Sequence, residues 1–239
     1  MNDYQTPKKY TVTVSKIVTL SDTVKLFRLQ FDKGVIFSFI PGQFVIVFHA
    51  VDGREVKRSY SIASAPANND FIEVLVRRKD DGELTPWMHS LSEGIKLEIR
   101  GPFGRFNIRD KAKDLVFIAA GAGIAPFRGM IVDYFEDGGK NEATLIFGFR
   151  SERDFFFKQE FEDLTKRYKT FKLVPTASQS GPKWNGERGR VNVVLGKYLK
   201  PGINKDVYLC GPSAMVGGTI KALIGIGFAK EQIYFEQWG

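Results

Sequence analysis

The sequence is poor in the residues that staple or metallate small proteins. Its 239 residues hold one cysteine, Cys210, and two histidines, His49 and His89. A lone cysteine excludes an intramolecular disulfide, a four-cysteine iron–sulfur cluster and a cysteine-rich zinc site within the chain. Neither histidine lies in a metal-ligand spacing. No apolar run approaches the ~18 residues of a membrane-spanning helix, and the polar start Met1 to Tyr10 does not read as a secretory leader. A cytoplasmic protein with no metal and no membrane span is expected.

Glycine and phenylalanine are abundant, at 24 and 21 residues. The net charge is +8, from 35 basic and 27 acidic residues. Because the lysines are scattered, one reading of this charge is solubility. Another is steering of an anionic cofactor or an acidic protein. Nucleic-acid binding would require a basic stripe or a recognisable module, and neither is present.

Two textures follow one another. Tyr10–Val14, Val24–Leu29, Phe44–Phe48, Phe71–Val76 and Ile95–Ile99 are β-branched and aromatic runs. Pro41-Gly42, Asp52-Gly53, Asp81-Gly82 and Gly101-Pro102 punctuate them. This spacing predicts an antiparallel barrel of five or six strands, with a short helix near Pro86 to Leu91. Beyond the polar stretch 107–114, strand-like runs at 115–120, 143–149, 171–176, 206–210 and 233–235 alternate with helical stretches. The helices are expected at 126–135, 155–168, 191–199 and 213–227, and the alternation implies a parallel sheet of about five strands. The chain is therefore read as two domains, residues 1–109 and 110–239.

Leu115–Ala120 runs into Gly121-Ala-Gly123-Ile-Ala-Pro126 and then a helix. Such a turn lets the backbone approach a pyrophosphate, and the helix start offers unpaired N–H groups. The alternative is a plain strand–helix turn, since Pro126 stands where a dinucleotide fingerprint has its last glycine, but the strand–turn–helix context favours the nucleotide. A second turn, Cys210-Gly-Pro-Ser213, follows a later strand. Both turns lie at carboxyl ends of strands, where open α/β sheets bind ligands. Cys210 there is either inert packing or part of the crevice.

In Arg58-Ser-Tyr-Ser61, a period of two puts Arg58 and Tyr60 on one face and Ser59 and Ser61 on the other. This is either an edge strand with a solvated arginine or a platform on which a planar ring packs against Tyr60 while Arg58 pairs with a phosphate. Gly82-Glu-Leu84-Thr85 would add a helix start for the same phosphate.

With these residues the chain resembles the ferredoxin–NADP reductase-like flavoproteins, which include flavodoxin reductases, oxygenase reductases and cytochrome b5 reductase. The resemblance runs in order through Pro41-Gly-Gln-Phe44, Arg58-x-Tyr-Ser61, Gly82-x-x-Thr85, Gly101-Pro-Phe-Gly104, Gly121-x-Gly-x-x-Pro126 and Cys210-Gly-Pro-Ser213. It implies an FAD-binding Greek-key barrel followed by a nicotinamide-nucleotide domain. On this resemblance, Arg58 and the Gly82, Leu84 and Thr85 segment would hold the FAD pyrophosphate. Tyr60 would pack on the isoalloxazine, and Ser59 and Ser61 would reach its edge, Ser61 near N5. Gly121, Gly123 and Pro126 would line the nicotinamide dinucleotide's phosphates, and Cys210, Gly211 and Pro212 would border the nicotinamide. Trp238 would cover the flavin or cap a core, and Glu236 would relay protons or be solvated.

The implied activity is hydride transfer from NAD(P)H to FAD N5, then electron delivery to a separate acceptor. An acidic carrier such as ferredoxin or flavodoxin, or another redox subunit, is the expected partner. A free-flavin reductase and an electron-transfer subunit of a larger complex are the alternatives. Gln179, where relatives preferring NADPH often carry arginine, favours NADH, while Arg150, Arg153, Lys183 and Arg190 leave NADPH open.

Overall fold

The computed structural model describes residues 6–67 and 70–238, so Gly239 lies outside the described residues. The chain forms two compact units, residues 1–107 with 125–133, and residues 108–124 with 134–239. The expected division at 109/110 stands beside this grouping as a proposal.

In the first unit, alternating apolar residues build six strands. These are β1 (Lys8–Ser21), β2 (Val24–Phe31), β3 (Phe44–Val51), β4 (Arg54–Ser61), β5 (Phe71–Arg77) and β6 (Lys96–Phe103). They are antiparallel in the order β4-β3-β6-β1-β2-β5. A bridge between Ile62 and Val74 joins the two ends of this order, curling the sheet into a barrel. Its core includes Val12, Phe27, Leu29, Val45, Val47, Ile72 and Val74. Asp52 and Gly53, at φ 50° and 73°, make the two-residue hairpin turn between β3 and β4 that Asp-Gly signals. Strand β1 outruns the expected Tyr10–Val14, because the register skips a residue between Val14 and Lys16. That bulge resets which side chains face inward, so a strict period of two stops at Val14 although the strand continues. Helix α1 (Leu84–Ser90) starts before Pro86, which sits in the first turn where its missing N–H costs nothing.

In the second unit, β7 (Asp114–Ala120), β8 (Ala143–Phe149), β9 (Phe171–Ala177), β11 (Lys205–Pro212) and β12 (Ile233–Trp238) form the expected parallel sheet. A sixth strand, β10 (Glu187–Arg188), is too short to show as a sequence run. The order β10-β9-β8-β7-β11-β12 reverses direction between β7 and β11. Helices α4 (Val191–Tyr198) and α5 (Ser213–Gly225) send Val194, Leu195, Val216 and Leu223 into a core with Val116, Ile118, Val207 and Leu209. Helix α2 (Ile124–Glu136) follows the glycine turn, and its residues 125–133 group with the first unit.

Helix α3 (Lys158–Arg167) is shorter than the expected 155–168. Phe157 takes left-handed φ 58°, which no helix continues through. Before it, Phe155 and Phe156 are buried, and Phe155 stacks on Phe149 at 4.9 Å. The first residues of the expected helix thus belong to a loop plugged into the sheet.

Candidate cofactor sites

The barrel carries the first candidate site along β4. Arg58, Ser59, Tyr60 and Ser61 pair in register with Val47, Ile46, Val45 and Phe44. Arg58 is exposed, and its Nη1 donates to the Lys57 carbonyl at 2.7 Å. The Tyr60 ring packs against the barrel core, yet its hydroxyl is buried without a hydrogen-bond partner among the described residues. Burial raises the phenol well above its usual range, and the neighbouring Arg58 charge opposes this only weakly. An orphaned buried hydroxyl costs stability unless something supplies a partner. A ring with polar edges laid on Tyr60, its phosphates toward Arg58, would supply one, so these residues fit a flavin dinucleotide.

The segment after β4 is held rigidly. The Ile62 N–H donates to the Gln43 carbonyl at 2.9 Å, and the Ala63 N–H to the Glu73 carbonyl at 2.7 Å. Around α1 the expected roles divide. Leu84 has its side chain in the barrel core, 1% exposed, which leaves only its backbone for a ligand. The Thr85 hydroxyl accepts from the Lys79 N–H at 2.9 Å and donates to the Lys79 carbonyl at 3.2 Å. It braces the Gly82 loop from within.

The second unit carries the other candidate site at the carboxyl ends of β7 and β11. A 3₁₀ turn, Gly121–Gly123, leads into α2, with Pro126 in its first helical turn. A Cβ on Gly123 would lie 2.1 Å from the Cys210 carbonyl oxygen, so only glycine lets the two strand ends meet. Two strands that end in such close turns fit the backbone approach that a dinucleotide's phosphates require.

Beside this turn, β11 and β12 pair Cys210 with Glu236 and Pro212 with Trp238. The register therefore puts Cys210, Glu236 and Trp238 on one face of the sheet. Burial holds the Cys210 thiol well above its usual value, and the Glu236 carboxyl adds to the rise. A thiol so held stays protonated at neutral pH. Glu236 is raised from 4.5 to about 7 by burial. Trp238 is 43% exposed, while its carbonyl accepts from the Ser213 hydroxyl at 3.2 Å. Ser61 belongs to the other unit.

Past β8, Arg150 is exposed and gives its carbonyl to the Gln179 N–H at 2.7 Å. Two residues not singled out in the sequence shape this loop. Glu152 accepts the Gly181 N–H at 3.1 Å. Arg188 spends its guanidinium on the Ser180 hydroxyl and on the Ser180, Gly181 and Trp184 carbonyls. Neither has a local sequence signal, since Glu152 acts on a loop far along the chain and Arg188 ties a turn whose path no pattern specifies.

Among the described residues, no group of three His, Cys, Asp or Glu could hold a metal ion. No helix among them is long and apolar enough to cross a membrane.

Comparison with known proteins bears on both units. The oxidoreductase FAD-binding domain family matches residues 11–108, and the oxidoreductase NAD-binding domain family residues 117–221. The chain is 32% identical over 234 residues to the phenol 2-monooxygenase reductase component DmpP of Pseudomonas sp. (strain CF600), covering 96% of this chain and 65% of that protein. It is 30% identical over 228 residues to ferredoxin–NADP reductase B of Sorangium cellulosum, covering 92% and 93%. Among solved structures, the Amycolatopsis cytochrome P450 reductase GcoB superposes with a TM-score of 0.88 at 24% identity, over 97% of this chain and 70% of that one. The chain spans 64–65% of the length of the oxygenase reductases that it matches. The order of the two domains, their folds and these similarities agree: the chain belongs to the ferredoxin–NADP reductase-like flavoprotein family.

Proposed function

We propose that this chain is an FAD-dependent NAD(P)H reductase that delivers electrons to a separate acceptor. The observation that carries the reading is the register of Cys210, Glu236 and Trp238 on one sheet face beside the Gly121–Gly123 turn. FAD, when bound, supplies the chemistry, accepting a hydride from a reduced nicotinamide and passing electrons on. The chain's residues bind, orient and shield. Arg58 offers a fixed charge for a pyrophosphate, and Tyr60 offers a ring face and a hydroxyl seeking a partner. Ser61 presents a hydroxyl at the end of β4 for a ring edge. Gly121, Gly123, Pro126, Gly211 and Pro212 leave room for the nucleotide backbone. The Cys210 thiol stays protonated and can donate, and Glu236, at about 7, can hold or release a proton near neutral pH. The exposed ring of Trp238 is suited to shield a planar group from water.

NADH is the favoured donor. A 2′-phosphate wants a free guanidinium fork, and Arg188 has committed its own to the loop. Arg150 remains exposed, so the comparison must be made directly. Initial rates of dye reduction with NADH and NADPH, on protein reconstituted with FAD, are expected to favour NADH. A clear NADPH preference would reverse the assignment.

The proposed acceptor is a redox protein, an acidic carrier such as ferredoxin or flavodoxin, or an oxygenase component, and the proposed location is the cytoplasm. A second reading, in which flavin is a released substrate, is favoured by one observation, the Thr85 hydroxyl being spent on Lys79. Protein that stays yellow through extensive dialysis supports the resident cofactor, and colourless protein the released one.

A further inference from the structure

Glu73 lies in the middle of β5 and is only 5% exposed, an unusual place for a carboxylate. Both of its oxygens are engaged. Oε1 accepts from Arg28 Nε at 3.0 Å and Nη2 at 2.8 Å, and Oε2 accepts from Arg128 Nη1 at 2.6 Å. Arg28 comes from β2, and its guanidinium also lies over the Phe71 ring at 4.1 Å. Arg128 comes from α2, in the part grouped with the barrel. Burial alone would push the Glu73 carboxyl up, but the two guanidiniums outweigh it and hold the group below its ordinary value.

The same residues grip one short segment of backbone. Arg128 Nη1 also donates to the Ala63 carbonyl at 3.2 Å. The Glu73 N–H donates to the Ser64 hydroxyl at 3.1 Å, and the Glu73 carbonyl accepts the Ala63 N–H at 2.7 Å. One residue along α2, a Cβ on Gly129 would lie 2.6 Å from the Ser64 carbonyl oxygen, so the helix backbone itself presses on this segment. Residues 62–64 follow Tyr60 and Ser61 directly, and Ile62 closes the barrel against Val74. A buried ion cluster is a poor way to gain stability, since well-packed apolar residues often do as well. What it does well is fix one geometry, and here the geometry fixed is that of the segment ending the Tyr60–Ser61 strand.

We propose that Arg128 is a positioning residue for the flavin, acting through Glu73 and the Ala63 carbonyl to set where Tyr60 and Ser61 present themselves. The proposal rests on the reading of β4 as the FAD site. Arg28 provides the internal contrast, because it holds the same carboxylate without touching residues 62–64.

The test compares Arg128→Gln with Arg28→Gln in the FAD-loaded protein, reading the visible absorption bands of bound FAD, its dissociation constant and the thermal midpoint. Arg128→Gln is expected to displace the flavin bands and weaken FAD binding about tenfold, the weight of one charge-assisted hydrogen bond. Arg28→Gln is expected to lower the thermal midpoint while leaving the bands in place. Two variants that differ from wild type in midpoint alone, with the same bands and dissociation constant, would overturn the proposal. If Arg128→Gln does not fold, Arg128→Lys keeps the charge facing Glu73 but loses the planar fork. It is expected to displace the bands by a smaller amount, and wild-type bands from it would overturn the proposal too. Wild-type protein that takes up no FAD would instead defeat the FAD reading itself, and the proposal with it.

Discussion

At Glu236 a single side chain ties stability to pH. Its carboxyl is raised from 4.5 to about 7 by burial, with no paired cation among the described residues. Between those two values the folded chain holds a proton that the unfolded chain has released, so this group's contribution to stability falls as pH rises through the window. Replacing it by glutamine should flatten that dependence and leave the variant more resistant than wild type to urea at pH 8. Urea midpoints measured from pH 4.5 to 8 decide it, and parallel curves would mean that Glu236 is solvated. The carboxyl's neighbourhood was partly legible in the sequence, since Cys210 and the C-terminal residues flank motifs that announce themselves locally. The internal hydrogen bonds of the Thr85 hydroxyl were illegible for the opposite reason. Its position at a helix start suggested a phosphate, while its actual partners, the amide and carbonyl of Lys79, lie in a loop whose path no local pattern specifies. Glu73, Arg28 and Arg128 were silent, because their meaning arises only from strands and a helix brought together across 45 and 55 residues.

Among the elements, the turn at the end of β7 is the most constrained. Gly123→Ala would drive a methyl to 2.1 Å from the Cys210 carbonyl oxygen, and backbone cannot swing aside as a side chain can. A cost of about 1–3 kcal/mol is expected from this overpacking, together with weaker NADH binding. Chemical denaturation and NADH titration check the two effects, and a wild-type result in both would show that the strand ends can part freely. The elements that sequence periodicity found well are those whose pattern is uninterrupted, such as β8, buried along its whole length. Those it found less well carry a local break in the pattern. The bulge after Val14 hides the second half of β1, and the left-handed Phe157 cuts α3 away from two phenylalanines that seemed to begin it. The two residues of β10 are too few for any periodicity.

For the whole molecule the excess of +8 charge, legible from composition, becomes testable once an acidic carrier is proposed as acceptor. Attraction between exposed charges is screened over ~10 Å at 0.1 M salt. Reduction of such a carrier should therefore slow as sodium chloride is raised, while reduction of a small uncharged dye stays level. A carrier rate indifferent to salt would remove the acidic partner. The parallel pairing of β7 with β11 has a temporal consequence. It sets Ala119 beside Cys210, residues far apart along the chain, so the wall opposite the glycine turn exists only after most of the second unit has been synthesised. Contacts of such long sequence separation form slowly. A growing polypeptide halted before Lys205 would hold the turn without its opposing strand, so competence for nucleotide waits on β11 rather than on the turn itself.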